Sequence, residues 1–460
     1  MTSAIKMHGT NSALPIRFFL TADMLPDEKT KAQLLNLATS KELRHYVAVL
    51  PDIHHKSRNL SPTGSVVVSK EHILPRAIDN GINCGMRMMS TDIQISDLTA
   101  ACIDALFDEL KRRIPVKRHA EKVVDDAELA TILADSGEWA RRKYGLSDTE
   151  IDCIEDRGRM PVSSSPMESM DCIPEKAWKK GHRTLGTLGA GNHFLELQEV
   201  ADIIDAKTAA LLGLRTGQAF FMLHTGSRGL GKKVMTSYLE HLNENVAPAK
   251  SAGSVWGVLA DSEDGRRYVK AISAASNFGF ANRIAITEEL RAAFRSAVAD
   301  NSVRLPLLYD CAHVSIKRET WRGETLWIHR HGASRALPPS CSEAHPIFSA
   351  TGQPVPVPGS MGHDSYVCVA AEGAAAAFCS VNHGAGRVLD KPEATAKFTE
   401  VQVEHEMREK KTRLYRYGTD NITEQAPGAF KDISKVIAAM SALRLARPVA
   451  RLRPVAVLKG

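Results

Sequence analysis

The sequence predicts an α+β protein: one large mixed domain with a central β-sheet or sandwich core surrounded by helices. Three observations carry this. Apolar runs of strand length recur along the chain, among them Thr63 to Ser69, Ala219 to Leu223 and Leu305 to Tyr309. Amphipathic helical stretches are mixed among them. No internal repeat, long low-complexity tract or linker divides the 460 residues, so a single domain over 1–460 is expected, although the length alone would allow two or three.

The elements follow in order. Thr30 to Arg44 carries Leu34, Leu35, Leu37 and Leu43 at helical spacing, and Tyr46 to Leu50 reads as a short strand. That strand runs into a polar turn, Pro51 to Arg58, rich in ligand-type side chains. Thr63 to Ser69 reads as a buried strand. Asp97 to Ile114 forms an amphipathic helix with Leu98, Cys102, Leu106 and Leu110 on one stripe. Asp125 to Tyr144 reads as one further helix ended by Gly145. The polar stretch 154–175, with its Ser163–Ser165 run before Pro166, is the expected mobile loop. Thr184 to Gln198 is a Gly-rich turn followed by a strand. Its Gly spacing resembles a dinucleotide loop, but no βαβ unit follows. Tyr268 to Val298 is expected as two helices around Asn277 to Asn282. Val401 to Arg416 reads as a charged, solvated helix and Ile433 to Leu445 as the last helix. The apolar run Pro454 to Leu458, with Lys459 after it, suggests a tucked-in final strand.

Composition excludes several classes. Hydrophobic residues make up 43% and charged residues 24%, the balance of a soluble globular chain. No run of about 18 apolar residues occurs, so no membrane span is expected. Met1 to Arg17 lacks the apolar core of a signal peptide. The eight Cys show no C-x-x-C pair and no zinc-finger spacing, so reduced thiols and a cytoplasmic location are expected. The net charge of +6 suits a polyanion such as RNA without identifying one.

The chemistry concentrates in a few turns. Ser380 to Arg387 places His383 before Gly384, Ala385, Gly386 and Arg387. An imidazole at such a turn can attack phosphorus, and a guanidinium four residues on can grip phosphate oxygens. Cys84, His193, His224 and His313 each fall beside a short apolar stretch near Gly-rich or polar turns. Taken singly, each is ordinary core or surface material. Together, one thiol and three imidazoles suit a borderline-soft divalent metal such as Zn, Mn, Fe or Co. Pro358 to Tyr366 offers Gly, Ser and backbone amides able to ring a phosphate or a base.

In order, NCGMR at 83–87, LGAGNHFLE at 188–196, HTGSRGLG at 224–231, HGASRA at 331–336, PGSMG at 358–362, HGAGR at 383–387 and the terminal VAVLKG make this chain resemble the RtcB family of RNA-splicing ligases, from about Thr21 to Gly460. The resemblance implies joining of RNA 3′-phosphate or 2′,3′-cyclic phosphate ends to 5′-hydroxyl ends with GTP and Mn²⁺, in tRNA splicing or RNA repair. It implies guanylation of His383, and metal ligation by Cys84, His193, His224 and His313. Nucleotide contacts are implied for Asn192, Glu196, Ser360, Ser365, the His383–Arg387 turn and Lys459.

The chain also departs from the family pattern. The family's Asp ligand three residues before the Cys is Gly81 here; Asp79, expected on the same face of an extended strand, is its nearest substitute. A family Lys is replaced by His331. The family Tyr over the guanine appears as Phe430, and His363-Asp364 stand where small residues are usual. These changes point to an altered RNA substrate or an altered need for an activating protein. Two other readings stay open: a metal-dependent cyclic phosphodiesterase that does not seal, favoured if nucleotidylation fails, and a non-catalytic RNA-binding paralogue, favoured if GTP binds without a covalent adduct.

Overall fold

The computed structural model describes residues 5–7, 14–57, 59–160, 171–248, 253–341, 343–418 and 421–460. Among these the strands form two large sheets. The first runs in the order Ile5–Met7, Ile16–Phe18, Leu43–His54, Thr63–Ser69, Glu324–His331, Val314–Trp321. The second runs Leu307–Ala312, Gly85–Gln94, Gln218–Thr225, Phe194–Ile203, Ala446–Lys459, Ser365–Ala370, Pro354–Val357, with Arg413–Arg416 joined in parallel to the terminal strand.

The second sheet is buried on both faces. On Gln218–Thr225, Ala219, Phe221 and Leu223 enter one core cluster, while Phe220 and Met222 enter another. This is the period of two that a pleated strand imposes. The first of these clusters contains the helices Ala100–Arg113 and Glu263–Val298. A third, with Val47, Val49, Val66 and Val68, packs the first sheet against Ile433–Ala442. The expected mixed α+β fold is the one observed.

Several boundaries differ from the sequence reading, each for a physical reason. Asp125 to Tyr144 is two helices, Asp126–Ala134 and Ser136–Tyr144. Asp135 between them is extended, and its carboxylate accepts from the Glu138 amide at 2.9 Å, capping the second helix. The expected pair of helices over Tyr268 to Val298 is instead one helix, Glu263–Val298. Its two asparagines do not break it, because their side chains serve neighbouring backbone. Asn277 binds Met160 N (2.7 Å) and Leu133 O (2.8 Å), and Asn282 binds Thr187 N (3.1 Å) and Gly226 O (3.1 Å). The charged stretch after 400 is helical only over Glu400–Glu409 and then turns into the strand Arg413–Arg416. The turn expected from Pro51 is strand as far as His54; Arg58 lies outside the described residues.

Of the stretch 154–175, residues 161–170, with the serine run, also lie outside them. Its near end is a packed turn. Glu155 is 2% exposed, accepts from the Ala312 amide at 2.7 Å and pairs with Lys317 at 2.7 Å. Among the described residues no helix is long and apolar enough to cross a membrane.

Candidate metal and nucleotide site

The site lies where the two sheets meet. His313 is the single residue between Leu307–Ala312 of the second sheet and Val314–Trp321 of the first. Backbone bonds close this seam: His313 N to Cys84 O (2.8 Å), Asn83 N to Val314 O (2.9 Å) and Ala333 N to His313 O (2.9 Å). Cys84 immediately precedes Gly85–Gln94, His193 immediately precedes Phe194–Ile203, and His224 is next to last in Gln218–Thr225. His383 follows the short strand Ser380–Asn382.

The donor atoms of Cys84, His224 and His313 all lie within 4.8 Å of one another. Cys84 Sγ is 3.3 Å from His224 Nε2 and 3.4 Å from His193 Nε2; the Nε2 atoms of His224 and His313 are 3.3 Å apart. His224 Nδ1 is 2.9 Å from the Asn192 carbonyl, which can only accept. The proton therefore sits on Nδ1 and the Nε2 lone pair faces the cluster. Burial holds His193 and His313 well below the usual imidazole range and His224 down to about 3, so all three are neutral bases. Burial also pushes the Cys84 thiol up to about 12. Lone pairs crowded together in this way, with His313 Nδ1 buried and unpartnered, fit a divalent cation among them.

Asp79, expected as a further ligand on an extended strand, is not on a strand. It lies between the turn Pro75–Ala77 and Gly85–Gln94, pairs with Lys56 at 3.0 Å and accepts from Asn59 at 3.2 Å. A Cβ on Gly81 would stand 3.6 Å from Cys84 Cβ, so a carboxylate there would be adjacent to the thiol, and this chain has none. His331 binds Ser61 Oγ at 2.9 Å.

Beside the cluster stands His383, its ring centroid 4.7 Å from that of His313. Its Nδ1 is 2.6 Å from Asp52 Oδ2 and 2.9 Å from the Gly332 carbonyl. Its backbone N–H also donates to Asp52 Oδ2, at 3.1 Å. Both Nδ1 partners accept, so Nδ1 carries a proton, and in the neutral ring the lone pair is on Nε2. Asp52 is fully buried, and two glycines make room for it. A Cβ on Gly386 would come within 2.2 Å of Asp52 O, and one on Gly64 within 2.7 Å of Asp52 Oδ1.

A cleft of about 190 Å³ opens in front of His383. It is lined by Asn192, Glu196, Ser360, Ser365, Gly384, Ala385, Gly386, Arg387, Phe430 and Lys459, with His224 at its metal end. Sheet register explains part of this: Met86, Phe194 and Lys459 form one cross-strand row through His224, and such pairs share a face. Lys459 Nζ is 5.6 Å from the Phe194 ring centroid. Burial pushes Glu196 up to about 7 against the opposing pull of its Gln198 hydrogen bond and Lys459. Gln198 also donates to Ser365 Oγ at 3.0 Å. Arg387 is not a bare fork. Its Nε donates to Leu389 O (2.9 Å), its Nη2 to Glu424 O (2.7 Å), and the guanidinium stacks 4.7 Å over Phe430.

A family model described as tRNA-splicing ligase RtcB matches residues 33–460. The chain belongs to the RtcB family. It is 34% identical to the tRNA-splicing ligase RtcB of Pyrobaculum aerophilum, covering 97% of this chain and 95% of that protein. The corresponding values are 33%, 95% and 92% for Thermococcus kodakarensis, and 32%, 95% and 93% for Aeropyrum pernix, both proteins of the same name. Membership in RtcB places the chain among RNA ligases.

Against that background the sequence reading did not find how some residues work through others. Asp52 stood in the ligand-rich turn after Pro51, but it lies 331 residues from His383, so spacing could not pair them. Arg228, 3.5 Å from His193 Nδ1 and bonded to Thr187 and Val116, was visible only inside the HTGSRGLG motif. His54 and Lys56, from the ligand-rich turn after Pro51, also line the cleft, as does Gln425, which the sequence did not single out.

Proposed function

We propose that this chain joins RNA 3′-phosphate or 2′,3′-cyclic phosphate ends to 5′-hydroxyl ends with GTP, through a GMP adduct on His383, in tRNA splicing or RNA repair. The observation that carries this reading is the Asp52–His383 pair at 2.6 Å beside the Cys/His cluster. With Nδ1–H held by Asp52, Nε2 attacks the α-phosphorus. A P–N bond forms, the bond to the bridging oxygen breaks, and pyrophosphate leaves. Asp52 balances the positive charge that develops on the ring. A 2′,3′-cyclic end is first opened by water to the 3′-phosphate with a free 2′-hydroxyl; GMP then passes to the RNA 3′-phosphate, freeing His383, and the 5′-hydroxyl displaces GMP from the activated end. Mn²⁺ held by Cys84, His224 and His313, with His193 alongside, would screen phosphate charge and polarise phosphorus. Glu196, Ser360, Ser365 and Lys459 supply a polar wall for the guanosine. Phe430, steadied by Arg387, supplies an aromatic face.

The test is covalent labelling. Protein incubated with α-labelled GTP and Mn²⁺, then denatured, should retain label, and His383→Ala should retain none while keeping its melting temperature. Label that persists in His383→Ala refutes the assignment. No label in folded, metal-loaded wild type refutes the ligase mechanism as written.

A further inference from the structure

Behind Ser360, the turn after Pro358 holds a polar chain whose other members, His363 and Lys410, the reaction above does not use. His363 Nδ1 lies 2.6 Å from Ser360 Oγ, and Lys410 Nζ lies 2.6 Å from His363 Nε2. The arrangement is built into the backbone. His363 N–H donates to Ser360 O at 3.0 Å, closing the turn. Gly362 has φ +73°, and a Cβ there would stand 2.9 Å from Lys410 Cδ, so the lysine stem runs where a side chain would be. Lys410, at the end of Glu400–Glu409, is also anchored by Glu406 at 3.2 Å.

Donor and acceptor rules then fix the protons. An ammonium only donates, so His363 Nε2 must accept. The neutral ring carries its proton on Nδ1 and donates it to Ser360 Oγ. The Ser360 hydroxyl proton cannot point back at the ring and turns toward the cleft that Ser360 lines. Burial and Lys410 hold His363 below the usual imidazole range, against the weaker opposing pull of Glu406, Asp364 and Asp432.

We propose that His363 and Lys410 are positioning residues that make Ser360 an obligate hydrogen-bond donor, so that the base edge facing it must offer an acceptor, as a 6-oxopurine does, and not an amino group. The base assignment rests on the nucleotide reading of the cleft; the proton relay does not.

Two measurements separate them. In ligand-free protein labelled with ¹⁵N-histidine, long-range ¹H–¹⁵N correlation should show His363 as the Nδ1–H tautomer, its signal identified by loss in His363→Gln. Lys410→Met should relax that preference. An Nε2–H tautomer in the wild type overturns the relay. The second measurement is equilibrium binding of GTP and of its analogue with an amino group at C6. Wild type should favour GTP, and His363→Leu should weaken GTP binding about fivefold and narrow the preference. His363→Gln should restore both, because one amide can accept from Lys410 and donate to Ser360. In a Ser360→Ala background, His363→Leu should have no further effect. An unchanged preference in His363→Leu, or a full-sized effect without Ser360, overturns the proposal. Failure of the wild type to bind GTP refutes the nucleotide reading instead, and the tautomer then decides the relay alone.

Discussion

Two buried polar centres lie side by side under the seam, and they are built on opposite principles. The cluster of Cys84, His193, His224 and His313 is a set of bases facing one another. The cluster of Arg87, Arg283 and Asp310, all fully buried, is a set of charges that meet each other's needs. Asp310 takes Arg283 Nε and Arg87 Nη1 at 2.8 Å each. Arg283 also donates to Asn83 O (2.9 Å), Thr225 O (3.0 Å) and Asn83 Oδ1 (3.0 Å). Those contacts grip the residue before Cys84 and the residue after His224. The charge-paired centre is the platform, and the crowded set of bases is the working surface. Arg87 Nε is buried without a partner even in the platform, so what marks the place for a ligand is the convergence of neutral imidazoles and a thiol within 4.8 Å of one another.

The sharpest way to break this contrast is Asp310→Ala. It strands two buried guanidinium groups, costs about 3–5 kcal/mol and removes a large part of the stability of a typical domain. Chemical denaturation should show a strongly destabilised or insoluble protein with or without metal; a near-native midpoint would mean that the platform is not one. Asp52→Asn, on the working side, should leave the melting temperature nearly unchanged and slow His383 labelling by about 10²–10⁴-fold, measured by quench-flow. A smaller gradation comes from Cys84. Its thiol is protonated below about 12, so binding a cation as thiolate releases one proton. Metal affinity should rise about tenfold per pH unit between roughly pH 6.5 and 8.5, and Cys84→Ser should flatten the slope in a metal-titration series. The last test, at Glu196, concerns stability alone. Its folded pKa is raised to about 7, so the folded chain binds the extra proton. Its contribution is fully present below the unfolded value and is lost as pH rises through about 7, on the order of 3 kcal/mol. Glu196→Gln should level that stretch of the stability–pH curve; an unaltered curve would mean that Glu196 ionises freely.

Much of the working surface was legible in the sequence because its residues sit at strand ends beside Gly-rich turns. Cys84, His193, His224 and His313 could be picked out one by one from local context. What joins them could not, since the seam pairs Cys84 with His313 across more than two hundred residues. The platform was almost invisible: Arg87 showed only as part of NCGMR at 83–87, Asp310 gave no signal of its own, and Arg283 sat in a stretch expected to break at Asn277 to Asn282. Those asparagines looked like turn residues because their partners, Met160, Leu133, Thr187 and Gly226, are supplied only by tertiary packing. For Asp79 the sequence reading assumed an extended strand that does not form, although its carboxylate still acts on the Cys84 thiol.

The place of Ala446–Lys459 in the second sheet has a consequence for biosynthesis. It fills the gap between Phe194–Ile203 and Ser365–Ala370, yet follows both in the chain. Until that strand is added, the sheet stands open at its middle and the cleft lacks the wall that carries Lys459. A chain made only as far as Ser365–Ala370 already contains Cys84, His193, His224 and His313 but not the strand that closes the sheet. The two ends of the site are thus supplied at different stages of synthesis, the Cys/His end before the Lys459 wall.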